Sequence, residues 1–445
     1  MARSLRRQAM VLTLGNAFTR GLGFALHLIF ARLMGAEALG VMELAHSAGM
    51  LALVPVTAGV PSAMSRLTAA RREALQPQVL CAGLCLVRRL ALATIAAMLL
   101  LSPGISCLLG DLRTLPAIWA DIPCVMLLGR CSVYGGYCCG RQDTLTPALN
   151  ECAEQTLRFL LSVALLTTLG GRSIALSAAL PEAAELVAAG LSLLLFIRMA
   201  GSPNRSVRPD RGLMREILQL SVPTALSRLC VTGSRTLNAV LLPVCLRRSG
   251  LSASAATAQF GLISGMAMPL MMLPGIVTGA VCMVSTPAVS RLERQPRRLR
   301  RMMLQLTLTA CAIGLTACVL LYAGADFIST RLYHEAALAP LLQLMCPMTV
   351  IMALQQVTGG MIAGLGLQRR SLTGTVLASA ASLLLTALLA PSPALRLFGA
   401  AAAMTIGQLA GLVWNILVLL RSPALRSGEK NENFFSKKCL TFRGI

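Results

Sequence analysis

The sequence predicts an all-α polytopic membrane protein of about twelve transmembrane helices, arranged as two six-helix lobes in a parallel repeat. Three observations carry this: an apolar composition, a series of membrane-length apolar runs, and arginines confined largely to alternate connections. The 445 residues are 56% hydrophobic and only 13% charged, with a mean hydropathy of +0.72. That lies outside the composition of soluble domains and inside that of polytopic membrane proteins. A helix rises 1.5 Å per residue, so about 20 apolar residues cross a hydrocarbon core of roughly 30 Å.

The first such run, Val11 to Leu33, holds one arginine, Arg20, near its middle. Arg3, Arg6 and Arg7 precede it as in a signal peptide, but the run is too long for a signal core and lacks a small-residue cleavage site, so it reads as an uncleaved span. Twelve spans are expected in all, at 10–31, 41–65, 81–101, 115–138, 147–169, 174–197, 217–246, 258–285, 302–323, 337–363, 371–390 and 398–420. Pro55, Pro61, Pro123, Pro223, Pro243, Pro269, Pro274 and Pro347 lie within or at the ends of these spans. Each removes a backbone hydrogen bond and invites a kink, as moving helices need, although membrane helices carry extra proline in any case.

The arginines between spans fall mostly on one side. Arg66, Arg71, Arg72, Arg141, Arg198, the Arg205 to Arg215 group, the Arg291 to Arg301 group, Arg369, Arg370 and the tail share a side with the N-terminus. The opposite side has only Arg32, Arg113, Arg172, Arg247, Arg248, Arg331 and Arg396. The positive-inside rule then places both termini in the cytoplasm, with an even number of spans across the cytoplasmic membrane.

The polar connection Gly201 to Gly212 divides the chain. The expected organisation is a six-helix lobe at 1–200, a cytoplasmic linker at 201–216, a second lobe at 217–420 and a basic tail at 421–445. Pro61-Ser-Ala-Met-Ser-Arg-Leu67 is echoed by Thr286-Pro-Ala-Val-Ser-Arg-Leu292, and Gly140-Arg-Gln-Asp-Thr-Leu-Thr146 loosely by Gly366 to Thr373. Both matches fall between corresponding spans, as a duplication of six helices requires. Parallel-repeat folds bind substrate between their halves and alternate access.

Ionisable residues inside spans mark function by default. Arg20 in the first span has counterparts in Arg228 and Arg235 of the seventh, which lie two turns apart on one helix face. Arginine offers a rigid fork of donors matched to phosphate oxygens and stays charged when desolvated, so these residues suit a phosphate or pyrophosphate headgroup. The plainer reading is that they snorkel to an interface or pair with Glu43, Glu182 or Glu185. Glu154 and Arg158 stand four apart in the favourable order for an intrahelical pair, with Arg158 otherwise free to join the anion site. Glu182 and Glu185, one turn apart, form a candidate proton or cation site, Glu43 and Glu154 are further coupling-ion or charge partners, and His46, one turn from Glu43, and His27 read as interior histidines.

The net charge of +23 comes mostly from arginine, and with 2 Trp and 4 Tyr there is no basic domain with an aromatic platform, which argues against nucleic acid. Most of the 15 cysteines sit in apolar runs, and the vicinal Cys138 and Cys139 lack metal-site spacing, so neither disulfides, metal nor a cofactor is expected. No paired carboxylates or nucleophile and base at catalytic spacing stand out, so the chain reads as a non-enzyme.

The stretches Thr19 to Phe24, Ala31 to Gly40 and Gly59-Val-Pro-Ser-Ala-Met-Ser-Arg-Leu67, with Tyr137 to Arg158 and Gln259 to Arg291, resemble a known family. It is the polysaccharide transporter branch of the multidrug/oligosaccharidyl-lipid/polysaccharide exporter superfamily, in particular its stage V sporulation protein B family. The resemblance implies two six-helix lobes facing each other in a V and a flippase for undecaprenyl-pyrophosphate-linked oligosaccharide or peptidoglycan precursor. For the sporulation branch it implies spore cortex synthesis, with cell-wall machinery as partner. The coupling ion, proton or sodium, or coupling to membrane potential, is left open. The scarcity of tyrosine, Phe260-Gly261 as the aromatic-glycine pair where the family has tyrosine-glycine, and an end after twelve spans depart from that branch. A cation-coupled multidrug exporter of the same superfamily and a non-transporting scaffold for cell-wall assembly are the alternatives.

Overall fold

The computed structural model describes residues 2–201, 210–293 and 295–422, with the side chains of 2–14, 16, 283 and 284 excepted. Most of the 201–216 connection and of the 421–445 tail therefore lies outside the described residues. Among the described residues the regular structure is helical throughout, and no strand occurs.

Helix α1 (Ala2–Thr57) is 56 residues long, more than twice what a bilayer needs, and it turns at Gly35, whose φ of 75° and ψ of 172° only glycine adopts without strain. The two expected spans at 10–31 and 41–65 thus become one helical stretch bent in the middle, with α2 (Val60–Ala70) continuing it after Gly59. Helices α3 (Gln76–Leu109), α4 (Leu115–Gly140), α5 (Leu145–Leu169) and α6 (Ile174–Ala200) follow where apolar runs predict them. Then come α7 (Arg211–Arg248), α8 (Ala253–Gly261), a π-helical turn at Leu262–Ala267, α9 (Met268–Met272) and α10 (Pro274–Leu292). The expected eighth span, 258–285, is divided there by Pro269 and Pro274, each without a backbone N–H to give to the ladder. The remaining elements are α11 (Pro296–Ala323), α12 (Ala325–Phe327), α13 (Leu338–Gly364), α14 (Gln368–Leu389) and α15 (Arg396–Leu420).

Eleven helical stretches among the described residues are long and apolar enough to cross a membrane. They correspond to the twelve expected spans with three differences. The first two are merged, the eighth is split, and α5 is excluded from that set although it is a helix of spanning length. Its Glu151, Glu154 and Arg158 lower its apolarity below that of its neighbours.

The chain forms two compact units, Met1–Met266 and Ala267–Ile445. Helices α7 and α8 therefore pack with the first unit. Within the first unit α1 is central and touches α3, α4, α5, α6, α7 and α8. In the second, α13 lies against α10, α11 and α15, while α14 pairs with α15.

Candidate functional site

Helical spacing sets up the site one helix at a time. On α1, Glu43 and His46 are three apart, on α6 Glu182 and Glu185 are three apart, and on α5 Glu154 and Arg158 are four apart. Each pair therefore projects from one face of its helix. Packing of α1 on α4, α5 and α6, and of α6 on α4 and α5, turns these faces toward one another.

The result is a buried polar cluster in the first unit. His46 Nδ1 lies 3.4 Å from Glu182 Oε1, and His27 Nδ1 lies 3.6 Å from Glu43 Oε1. The Arg158 guanidinium is 2.8 Å from Glu185 Oε2. The contact is one of charge without hydrogen-bond alignment, since Glu185 Oε2 has no hydrogen-bond partner, and neither do Glu182 Oε2 and Arg158 Nε. Glu182 is 1% exposed and Asp121, from α4, is 5% exposed. Asp121 fits because position 49 on α1 is glycine: a β-carbon there would overlap the Asp121 carboxylate. Below this layer Asn150 donates to Ser192 Oγ at 2.6 Å, joining α5 to α6.

Chemically, the cluster collects more carboxylates than cations in apolar surroundings, which is the composition of a cation or proton site. Ligand atoms of His46, Glu182 and Glu185 all lie within 4.8 Å of one another, so one small cation fits among them. No such group was expected from sequence spacing, since its members come from α1 and α6.

Other predicted residues are placed differently. Glu182 and Glu185, which had no basic partner in view of their own helix, acquire His46 and Arg158 from α1 and α5. The close partner of Arg158 is Glu185 and not its i−4 neighbour Glu154. Arg20, on α1, and Arg228 and Arg235, on α7, are exposed, and Glu43, Glu182 and Glu185 have their closest charged contacts with histidines and Arg158. An apolar cavity of about 270 Å³ lies between α1, α3 and α7, lined by Val54 of α1, Leu86 and Leu90 of α3, and Leu218, Val222 and Leu226 of α7, and none of the three arginines lines it. Asp121 was missed by sequence reasoning. The signal was available, a lone carboxylate inside the apolar run of α4.

Beside the bend of α1, the α3–α4 connection is held to α1, α7 and α8. Arg113 grips Asp111 at 2.7 Å and Glu37 at 2.7 Å. Ser254 donates to Glu37, and Thr257 donates to Asp111 at 3.3 Å, while Arg247 donates to the Gly110 carbonyl. Burial works against the Asp111 charge, but the Arg113 side chain and backbone and the Thr257 hydroxyl outweigh it and hold the carboxyl below its usual range.

The fold is that of multi-span membrane transporters. An inward-facing multidrug resistance MATE family transporter of the MOP superfamily superposes with a TM-score of 0.78 at 18% identity, over 94% of this chain and 99% of that one. The lipid II flippase MurJ in an inward closed conformation gives 0.73 at 12% identity, over 93% and 88%. In sequence, residues 5–293 match the family model described as polysaccharide biosynthesis protein. The chain belongs to the polysaccharide biosynthesis protein family. Stage V sporulation protein B of Bacillus subtilis (strain 168) is 26% identical over 416 residues, which span 90% of this chain and 80% of that protein.

Proposed function

We propose that this multi-pass membrane protein moves a lipid-linked saccharide, carried on a polyprenyl pyrophosphate, across the cytoplasmic membrane by alternating access, with both termini in the cytoplasm. Family membership and the similarity to stage V sporulation protein B and to a lipid II flippase support this reading, and with it a role in cell-wall or spore cortex precursor export. The observation that carries it is the exposure of Arg228 and Arg235 on α7 while the acids of the first unit are engaged elsewhere. Guanidinium groups on a membrane-length helix need an anion, and the apolar cavity lined in part by the same helix suits part of a hydrocarbon tail. Arg20 joins them as a third headgroup ligand. Arg158, held by Glu185, is the fourth candidate headgroup ligand. Uptake of a proton or sodium ion among Glu43, Asp121, Glu154, Glu182 and Glu185 would supply the drive.

The test is transbilayer movement of a fluorescent polyprenyl-pyrophosphate disaccharide in liposomes that hold the purified protein. Movement abolished by Arg228→Ala with Arg235→Ala supports the headgroup role, and movement unchanged by the pair removes it. A second reading, exchange of organic cations for protons or sodium, is favoured by the acidic cluster and the MATE-like fold. It predicts drug efflux with no lipid movement in the same vesicles.

A further inference from the structure

Three side chains of the acidic layer in the first unit converge on one point. His46 of α1 and Glu182 and Glu185 of α6 each offer a ligand atom, and these atoms all lie within 4.8 Å of one another. Glu182 is 1% exposed and Glu185 9% exposed, yet Oε2 of each has no hydrogen-bond partner among the described residues. A buried carboxylate oxygen without a partner is costly, and a cation set between the two acids removes that cost. Access to the point is past His46, whose side chain is 34% exposed.

The donors decide which cation. Imidazole nitrogen is a ligand for zinc and its neighbours in the first transition row, whereas magnesium and calcium take oxygen, as sodium does. Spacing agrees with this. Bonds of about 2.1 Å put the corners of a tetrahedral shell about 3.4 Å apart, and His46 Nδ1 stands 3.4 Å from Glu182 Oε1. Glu185 completes the face with a side-chain shift of about an ångström. Arg158, 2.8 Å from Glu185 Oε2, holds that carboxylate from the α5 side, as outer partners hold ligating carboxylates elsewhere.

Charge points the same way. The cluster sets Glu43, Asp121, Glu182 and Glu185 against the guanidinium of Arg158. A divalent ion offsets two of these carboxylates at once, and a monovalent ion only one.

We propose that His46, Glu182 and Glu185 bind a divalent transition-metal ion of the zinc class, with the fourth corner of the shell open to water. Binding itself rests on nothing in the transport reading. Its consequence does rest on that reading: a bound divalent ion takes the seat of the driving ion and slows gradient-driven movement.

Cobalt(II) is the probe, because it replaces zinc and its absorption reports the ligands. The untagged full-length protein, stripped of metal with a chelator, is titrated with cobalt chloride in detergent. One ion per chain is expected, with the visible bands of a four-coordinate ion and without the near-ultraviolet band of a cobalt thiolate. Zinc should displace it at equal concentration, and sodium or magnesium in about hundredfold excess should not. No uptake by the unchanged protein, loss of the ion to sodium, or a thiolate band that assigns the metal to cysteines each overturns the proposal without any variant. His46→Gln and Glu182→Gln should each weaken binding by about tenfold or more. His46→Cys, which trades one zinc ligand for another, should keep one ion per chain and add the thiolate band. Binding left unchanged by all three variants overturns the assignment to these residues. In liposomes, saturating zinc should slow gradient-driven movement of the fluorescent lipid by about tenfold or more and spare equilibrium exchange. Cobalt binding without that effect removes the consequence and keeps the site. Absence of lipid movement under any condition counts against the transport reading and leaves the binding result standing.

Discussion

The Asp121 carboxylate of α4 lies directly against the backbone of Gly49 on α1, in a space that any side chain would fill. An acid in the apolar interior is thereby tied to a glycine far from it in sequence. The pair locates the charged layer of the first unit, because Glu43 and His46 precede Gly49 on the same helix. Gly49→Ala must displace either the carboxylate or the helix, at a cost of about 1–3 kcal/mol typical of overpacking. A lowered unfolding temperature in detergent is expected, and Asp121→Ala in the same chain should restore part of it. An unchanged melting curve for Gly49→Ala would show that the contact is loose.

The Arg158 and Glu185 charges neutralise each other across α5 and α6 at 2.8 Å. Removing one partner leaves the other ionised and buried, at about 3–5 kcal/mol, whereas removing both is tolerated better. Arg158→Met should therefore destabilise more than Arg158→Met combined with Glu185→Met. Thermal unfolding of the three proteins checks the order, and additive losses would show that the two charges do not communicate.

The grouping of His46, Glu182 and Glu185 predicts the coupling residues. Glu182→Gln should reduce gradient-driven transport by about tenfold or more and leave equilibrium exchange of substrate across vesicles largely intact, since only the driving cation loses its seat. The comparison is made with and without an imposed pH or sodium gradient. Loss of exchange and of gradient response in equal measure would place Glu182 in structure and not in coupling.

The Asp111, Arg113 and Glu37 contacts join the α3–α4 connection to α1 beside its bend, and their pH dependence has a definite sign. The Asp111 carboxyl titrates below its ordinary value, so its stabilisation is fully present above about pH 4 and is lost as pH falls through the lower folded value. Arg113→Gln should cost about 2 kcal/mol, the scale of hydrogen bonds to charged groups. Asp111→Asn should flatten the acid limb of a plot of unfolding temperature against pH. An acid limb identical to that of the unchanged protein would exclude Asp111 as its source.

What composition and periodicity can report is the local cost of exposing apolar groups, and that much of the protein was present in its sequence. The membrane class, the helical architecture and nearly every span follow from runs such as Val11 to Leu33, since a bilayer imposes length and apolarity on each helix separately. Family membership was legible in short stretches such as Gly59 to Leu67. The turn at Gly35 falls in the gap between the first two expected spans, and the division of the eighth was written in Pro269 and Pro274, though apolarity alone ran across it.

Partnership was decided elsewhere. Spacing pairs Glu154 with Arg158 and leaves Glu182 and Glu185 without a cation, because spacing sees one helix at a time. Only the packing of α5 on α6, and of α1 on both, brings Arg158 to Glu185, His46 to Glu182 and Gly49 to Asp121. The energy of a buried charge depends on what lies within a few ångströms in any direction, and those neighbours come from helices tens to more than a hundred residues away.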